Sequence, residues 1–167
     1  MTDPDLTRRI GELEQRVRRL DDERAVAAVI ARYGPLVDAG AAAATAALWT
    51  ADGTYTVEDT TMSGRAGVQQ MVESREHQRV IARGSAHFLG PPVITVDGDD
   101  AEAICQSLLC VRRGTGRDGY LVARASINRI RLTRTETGWR IVDRQAQVLD
   151  GGEDARRLLG LAAEPER

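Results

Sequence analysis

Two histidines, His77 and His87, are the only imidazoles in the chain. Imidazole is the side chain whose ordinary pKa, about 6.5, lets it both take and return a proton near neutrality. His87 stands beside Phe88 in a short apolar stretch, where pattern alone reads it as structural sooner than catalytic. His77 lies in Arg75-Glu76-His77-Gln78-Arg79, a charged run that predicts a solvated helix face. Arg124, Ser126 and Asn128 recur two apart, on the strand face that also carries Val122, Ile130 and Leu132. A face that is apolar at its ends and polar in its middle reads either as a pocket wall or as an outer sheet face washed by water. Arg144 follows Asp143, but neighbours in a strand point to opposite faces, so Arg144 needs another anion, either Asp38 or a substrate.

Other chemistries are set aside by spacing. Cys105 and Cys110 lie an odd number of residues apart in one strand and should face opposite ways, so no bond between them is expected. The histidines and cysteines have no zinc or iron–sulfur spacing, and no metal site is expected. There is no G-x-S-x-G nucleophile signature, and the glycine-rich 114–119 stretch joins strand to strand, not strand to helix as a phosphate loop requires. Trp49, Tyr55, Met62, Met71 and Trp139 read as core, with Trp49 and Tyr55 the two expected to reach a pocket.

The elements that must position these groups fit in one domain of 167 residues, with 42% hydrophobic and 29% charged residues and a net charge of −2. That balance argues against a nucleic-acid partner. All 23 basic residues are arginine, most simply a mark of GC-rich coding. No apolar run has the roughly 20 residues a membrane span needs, and the first residues lack a signal-peptide core, so a cytoplasmic protein without a membrane partner is expected.

Residues 1–20 read as an amphipathic helix, capped by Asp3 with Pro4 in its first turn. Leu6, Ile10, Leu13, Val17 and Leu20 form a heptad seam that either docks locally or meets a sister subunit. Residues 21–150 read as the main domain. It begins with a second helix to Asp38, which Pro35 should kink or restart, followed by a short helix at 41–49. A first strand is predicted at 54–58 and a helix at 67–81. Strands are then predicted at 87–89, 93–96, 101–112, 120–133 and 139–149, separated by turn-rich pieces. Residues 151–167 read as a tail with one short helical piece, fraying at Pro165. Helices first and a long antiparallel meander second make an α+β plan, in which bent strands wrap helices as a cone with one open mouth.

The run Ala31 to Gly40 with Tyr33 and Asp38, the run Leu48 to Tyr55, the run Ser85 to Gly90 with His87, and Ser126, Asn128 and Trp139 carry a family resemblance. Over about residues 21–150 the chain resembles the SnoaL-like, scytalone dehydratase-like branch of the nuclear transport factor 2-like superfamily. The resemblance implies a cofactor-independent lyase or isomerase of dehydratase type, acting on a small, hydrophobic, oxygenated ring. It implies Asp38 orienting His87 as the acid–base group, Tyr33 assisting, and Ser126, Asn128 and Arg144 binding substrate. It also implies a homodimer or homotrimer. Val37, Val111 and Cys110 depart from the polar residues found at those places in relatives, which leaves the substrate open. A cyclase, an epoxide-opening enzyme and a non-catalytic ligand-binding module are the alternatives within the same cone.

Overall fold

The structure, a computed structural model, describes residues 4–114 and 119–163. The expected cap Asp3, the centre of the 114–119 loop and Pro165 lie outside the described residues. Helix α1 (Pro4–Asp38) runs as a single helix where two were expected, meeting at residue 20. The physical reason is that no helix breaker lies between Leu20 and Val26. What changes there is which face is apolar, not the backbone. Pro35 gives up one hydrogen-bond donor, yet the helix runs on to Asp38 before Gly40, at φ 67°, turns the chain.

After α2 (Ala42–Ala46) come β1 (Trp49–Val57), longer than the expected 54–58 segment, and β2 (Thr60–Ser63), which was not anticipated. The helix expected at 67–81 is two helices, α3 (Gly64–Glu73) and α4 (Arg75–Arg83). They are separated at Ser74, whose hydroxyl accepts the backbone N–H of His77 at 3.2 Å and so caps α4. Then follow β3 (Ser85–Leu89), β4 (Val93–Asp97), β5 (Asp100–Arg112), β6 (Tyr120–Thr135), β7 (Gly138–Val148) and α5 (Glu153–Gly160).

The strands form one curved, unclosed sheet in the order β2-β1-β7-β6-β5-β3, with β4 beside β3 along the same edge of β5. Pro91 and Pro92 lack N–H groups and interrupt what would otherwise be one long edge strand. The sheet is mostly antiparallel, but β1 joins β7 in parallel, so it is not a pure meander. The α+β cone expected from the sequence is the fold observed. Val26, Val29, Ile30, Tyr33 and Val37 form one face of α1 and are buried with Trp49, Tyr55, Ile130, Leu132, Trp139 and Ile141. On β6, Ser126, Asn128, Ile130 and Leu132 are buried, as the inward alternation requires. Val122 is exposed together with Tyr120 and Leu121 at the start of β6, beyond the point where the register with β5 shifts between Leu109 and Cys110.

The body grips α1 at Asp22. The Arg134 guanidinium on β6 donates to both Asp22 carboxylate oxygens at 2.8 Å and lies 4.5 Å over the Trp139 ring. Hydrogen bonding from Arg134 holds the Asp22 carboxyl below its ordinary range, against the smaller opposing effect of burial. Among the described residues no helix is long and apolar enough to cross a membrane.

Candidate active site

Asp38 ends α1, and Ser85 and His87 lie two apart on β3, so both side chains leave the strand on the side of the helix end. Asp38 Oδ1 accepts from His87 Nδ1 at 2.7 Å and from the Ser85 hydroxyl at 2.6 Å, while Oδ2 accepts the backbone N–H of His87 at 2.7 Å. A carboxylate at a helix C-terminus faces the negative end of the helix dipole and needs such donors. Burial alone would raise the Asp38 pKa, but the bonds from Ser85 and from the His87 backbone and ring outweigh it and hold the acid ionised. An ionised carboxylate only accepts, so Nδ1 carries the imidazole proton and the Nε2 lone pair is free. Burial lowers the His87 pKa, the Asp38 interaction opposes this, and the neighbouring His77 and Arg144 add to the lowering, for a net decrease.

The ring of His87 borders a two-part cavity. An inner recess of about 20 Å³ is lined by Tyr33, Tyr55, His87, Ser126 and Arg144 among others. It adjoins an outer chamber of about 280 Å³ that shares Tyr33, Tyr55, His87, Leu109 and Arg124 with it and adds Met62, Met71 and His77. Together they sit at the lower edge of the roughly 300–1,000 Å³ typical of small-ligand sites.

Arg144 is the buried charge of the site. It is 2% exposed, and no carboxylate among the described residues pairs with it: Nε and Nη2 donate to Asn128 Oδ1 at 3.0 and 2.8 Å. Its guanidinium lies 4.3 Å from the Tyr33 ring centre and 4.5 Å from that of Tyr55, cation–π contacts that offset part of the cost of a buried charge. Nη1 is buried without a hydrogen-bond partner among the described residues. The two anions considered from the sequence thus reduce to one, since Asp38 is committed to β3. Burial, with the Tyr55 and Arg144 neighbours pulling in opposite directions, raises the Tyr33 pKa far above its ordinary value and keeps the phenol protonated as a donor.

Of the residues expected to form the site, the structure brings His87, Asp38, Tyr33, Tyr55, Ser126 and Arg144 together. Two stand elsewhere. Asn128 is 0% exposed and off the cavity wall, its amide fully used between Arg144, the Cys105 carbonyl at 3.2 Å and the Ser107 hydroxyl at 2.9 Å. It positions Arg144. Trp49 is core, with Nε1 donating to the Thr54 carbonyl at 3.1 Å and the ring packed 5.9 Å from those of Tyr33 and Tyr55.

His77 overturns its solvated reading. The Ser74 break turns α4 so that the His77 ring sits 5.5 Å from that of His87, with Nε2 buried and unpartnered among the described residues. Ser74 three residues before His77 is the one signal that marks this turn in the sequence. Ser85 and Arg124 also belong to the site, and the two-residue step from Ser85 to His87 was the available clue. Among the described residues no three His, Cys, Asp or Glu side chains converge as a metal site, and the two cysteines are free thiols.

A helix-filled cone of this kind defines a class, the nuclear transport factor 2-like proteins. Within that class the chain belongs to the SnoaL-like domain family, which residues 18–145 match. A nuclear transport factor 2-like protein with a cystatin-like fold from Novosphingobium aromaticivorans is 41% identical, with 88% of this chain and 94% of that one covered at a TM-score of 0.83. A protein of unknown function from Mycobacterium tuberculosis is 21% identical, with 83% and 90% covered at a TM-score of 0.66. A Catenulispora acidiphila protein solved in complex with S-DNPA is 19% identical, with 81% and 96% covered at a TM-score of 0.63. The latter two likenesses concern the fold alone. No curated protein matches the sequence.

Proposed function

We propose that the chain is a cofactor-independent acid–base enzyme of dehydratase type acting on a small carbonyl compound. The observation that carries this reading is the opposition, across one cavity, of an aspartate-held imidazole and a buried guanidinium whose Nη1 has no partner among the described residues. His87 Nε2 takes the proton alpha to the carbonyl, the C–H electron pair forms a double bond to the carbonyl carbon, and the C=O π pair moves onto oxygen to give an enolate. Arg144 Nη1 and the Tyr33 hydroxyl hold the developing oxyanion. The enolate then re-forms the carbonyl, a carbon–carbon double bond forms, and the C–O bond to a β-hydroxyl breaks. His87 returns its proton to the departing oxygen, releasing water from the same face. Isomerisation uses the same groups when the proton returns to carbon.

The cavity volume favours a substrate of about one ring over a fused polycycle. Arg144 is bonded to an amide and not to carboxylates, which leaves incomplete the aspartate–arginine–aspartate set of an epoxide-opening site. Positioned acid–base help is typically worth about 10²–10⁴-fold in rate. The test is a turnover screen of small β-hydroxy carbonyl compounds with wild-type and His87→Gln protein. Turnover lost in the variant, with ligand binding retained, is the expected result. A compound dehydrated equally by both proteins overturns the assignment.

A further inference from the structure

The first turns of α1 stand clear of the body: Leu6, Ile10, Leu13, Val17 and Leu20 are each 47–61% exposed. The local docking considered for this seam does not occur. Their spacing of four, three, four and three places Ile10 and Val17 at heptad position a and Leu6, Leu13 and Leu20 at d. β-Branched residues at a with leucine at d is the pattern that favours two parallel strands. The flanking charges agree. In a parallel pair each g residue meets the e residue five places on in the other helix. Here Arg9 meets Glu14 and Arg16 meets Asp21. An antiparallel pair sets g beside g and e beside e, bringing arginine to arginine and acid to acid.

The body leaves this face free. Asp22, gripped by Arg134, occupies position f, opposite the seam, and the buried face of α1 begins at Val26. Arg24, at the next a position, ends the apolar run where the body begins. A seam this short cannot hold isolated peptides together securely. These turns, however, continue a helix whose other half is packed in the core, so pairing does not have to nucleate it.

We infer that residues 6–20 join two copies of this chain as a parallel, two-stranded coiled coil, leaving each cavity in its own cone. The experiment is sedimentation equilibrium of the full chain across a concentration series, with three variants. Leu13→Asp/Val17→Asp places charge at d and a on exposed positions, so circular dichroism should report an intact body. Arg16→Glu sets a carboxylate against Asp21 of the other copy, and Arg16→Glu/Asp21→Arg restores opposite charge in the parallel register alone. A concentration-dependent dimer that is lost in the first variant, weakened in the second and recovered in the third is expected. A wild-type monomer at micromolar concentrations overturns the inference. So does a dimer unaffected by Leu13→Asp/Val17→Asp, or a double charge swap that fails to recover association.

Discussion

Gly34 of α1 and His87 of β3 meet backbone to backbone: a Cβ built on Gly34 would lie 2.0 Å from the His87 carbonyl oxygen. The absence of a side chain at this one helix position lets the helix lie close against the strand. That closeness brings Asp38, one turn further on, within hydrogen-bond reach of His87. Helix propensity alone says that alanine should improve on glycine by about 1 kcal/mol. At position 34 the clash is with backbone and cannot be relieved by a rotamer.

Gly34→Ala is therefore expected to destabilise the protein, by the roughly 1–3 kcal/mol typical of overpacking, and to lower turnover by displacing β3. Gly11, where an added methyl group would meet nothing within 4 Å, is the control, and Gly11→Ala should stabilise by about 1 kcal/mol. Urea unfolding of both variants measures this. A Gly34→Ala protein as stable as Gly11→Ala would show that the helix–strand approach has slack.

Arg144→Lys separates charge from geometry. A lysine ammonium can still donate to Asn128 Oδ1, so the fold should hold, but it cannot keep the forked grip on Asn128 while also presenting Nη1 to the cavity. Losing a hydrogen bond to a charged group costs about 1.5–3 kcal/mol, a factor of roughly 10 to 150 in kcat/KM. Steady-state kinetics with a circular dichroism melt distinguish this from unfolding. Unchanged kcat/KM would remove Arg144 from the reaction.

The two imidazoles are electrically coupled: charge on His77 is one of the causes that lower the His87 pKa, after burial. His77→Gln should therefore raise the His87 pKa and shift the acid limb of kcat/KM to higher pH, with little change on the plateau. A ring-proton titration of His87 by nuclear magnetic resonance reads the same shift directly. An unmoved titration means that the two rings do not interact.

The sheet was legible because its later strands are bounded by glycine, proline or aspartate clusters. Asp38 and His87 were legible through the family resemblance, and in the structure the two are in contact. His77 was not, because Arg75, Glu76 and Arg79 disguise a ring that faces inward once Ser74 breaks the helix. Arg144 was singled out for lacking a partner in its own strand. That an amide on β6 would hold it depends on the Ile130–Arg144 register of β6 against β7, which no local pattern encodes. Helix α1 misled in a different way. Its apolar residues change face near residue 20, which imitates a break, while the backbone has no cause to stop.

Acid sensitivity follows from the same contacts. His87 has a folded pKa below its ordinary 6.5, so as pH falls past 6.5 the unfolded chain takes up a proton that the native state refuses. Its contribution to stability is thus present above the unfolded pKa and is lost as pH falls through the folded one. Asp38, held below its ordinary 3.8, has the same sign at lower pH, and so does Asp22 at the Arg134 clamp. Native stability should therefore decline in two stages on acidification, the first beginning just under pH 6.5. Chemical denaturation across this range should show the first stage flattened in His87→Gln and the second stage retained, because Asp22 and Asp38 still titrate. If the first stage is equally steep in the variant, the buried imidazole is not its source, and the dry environment assigned to His87 is wrong.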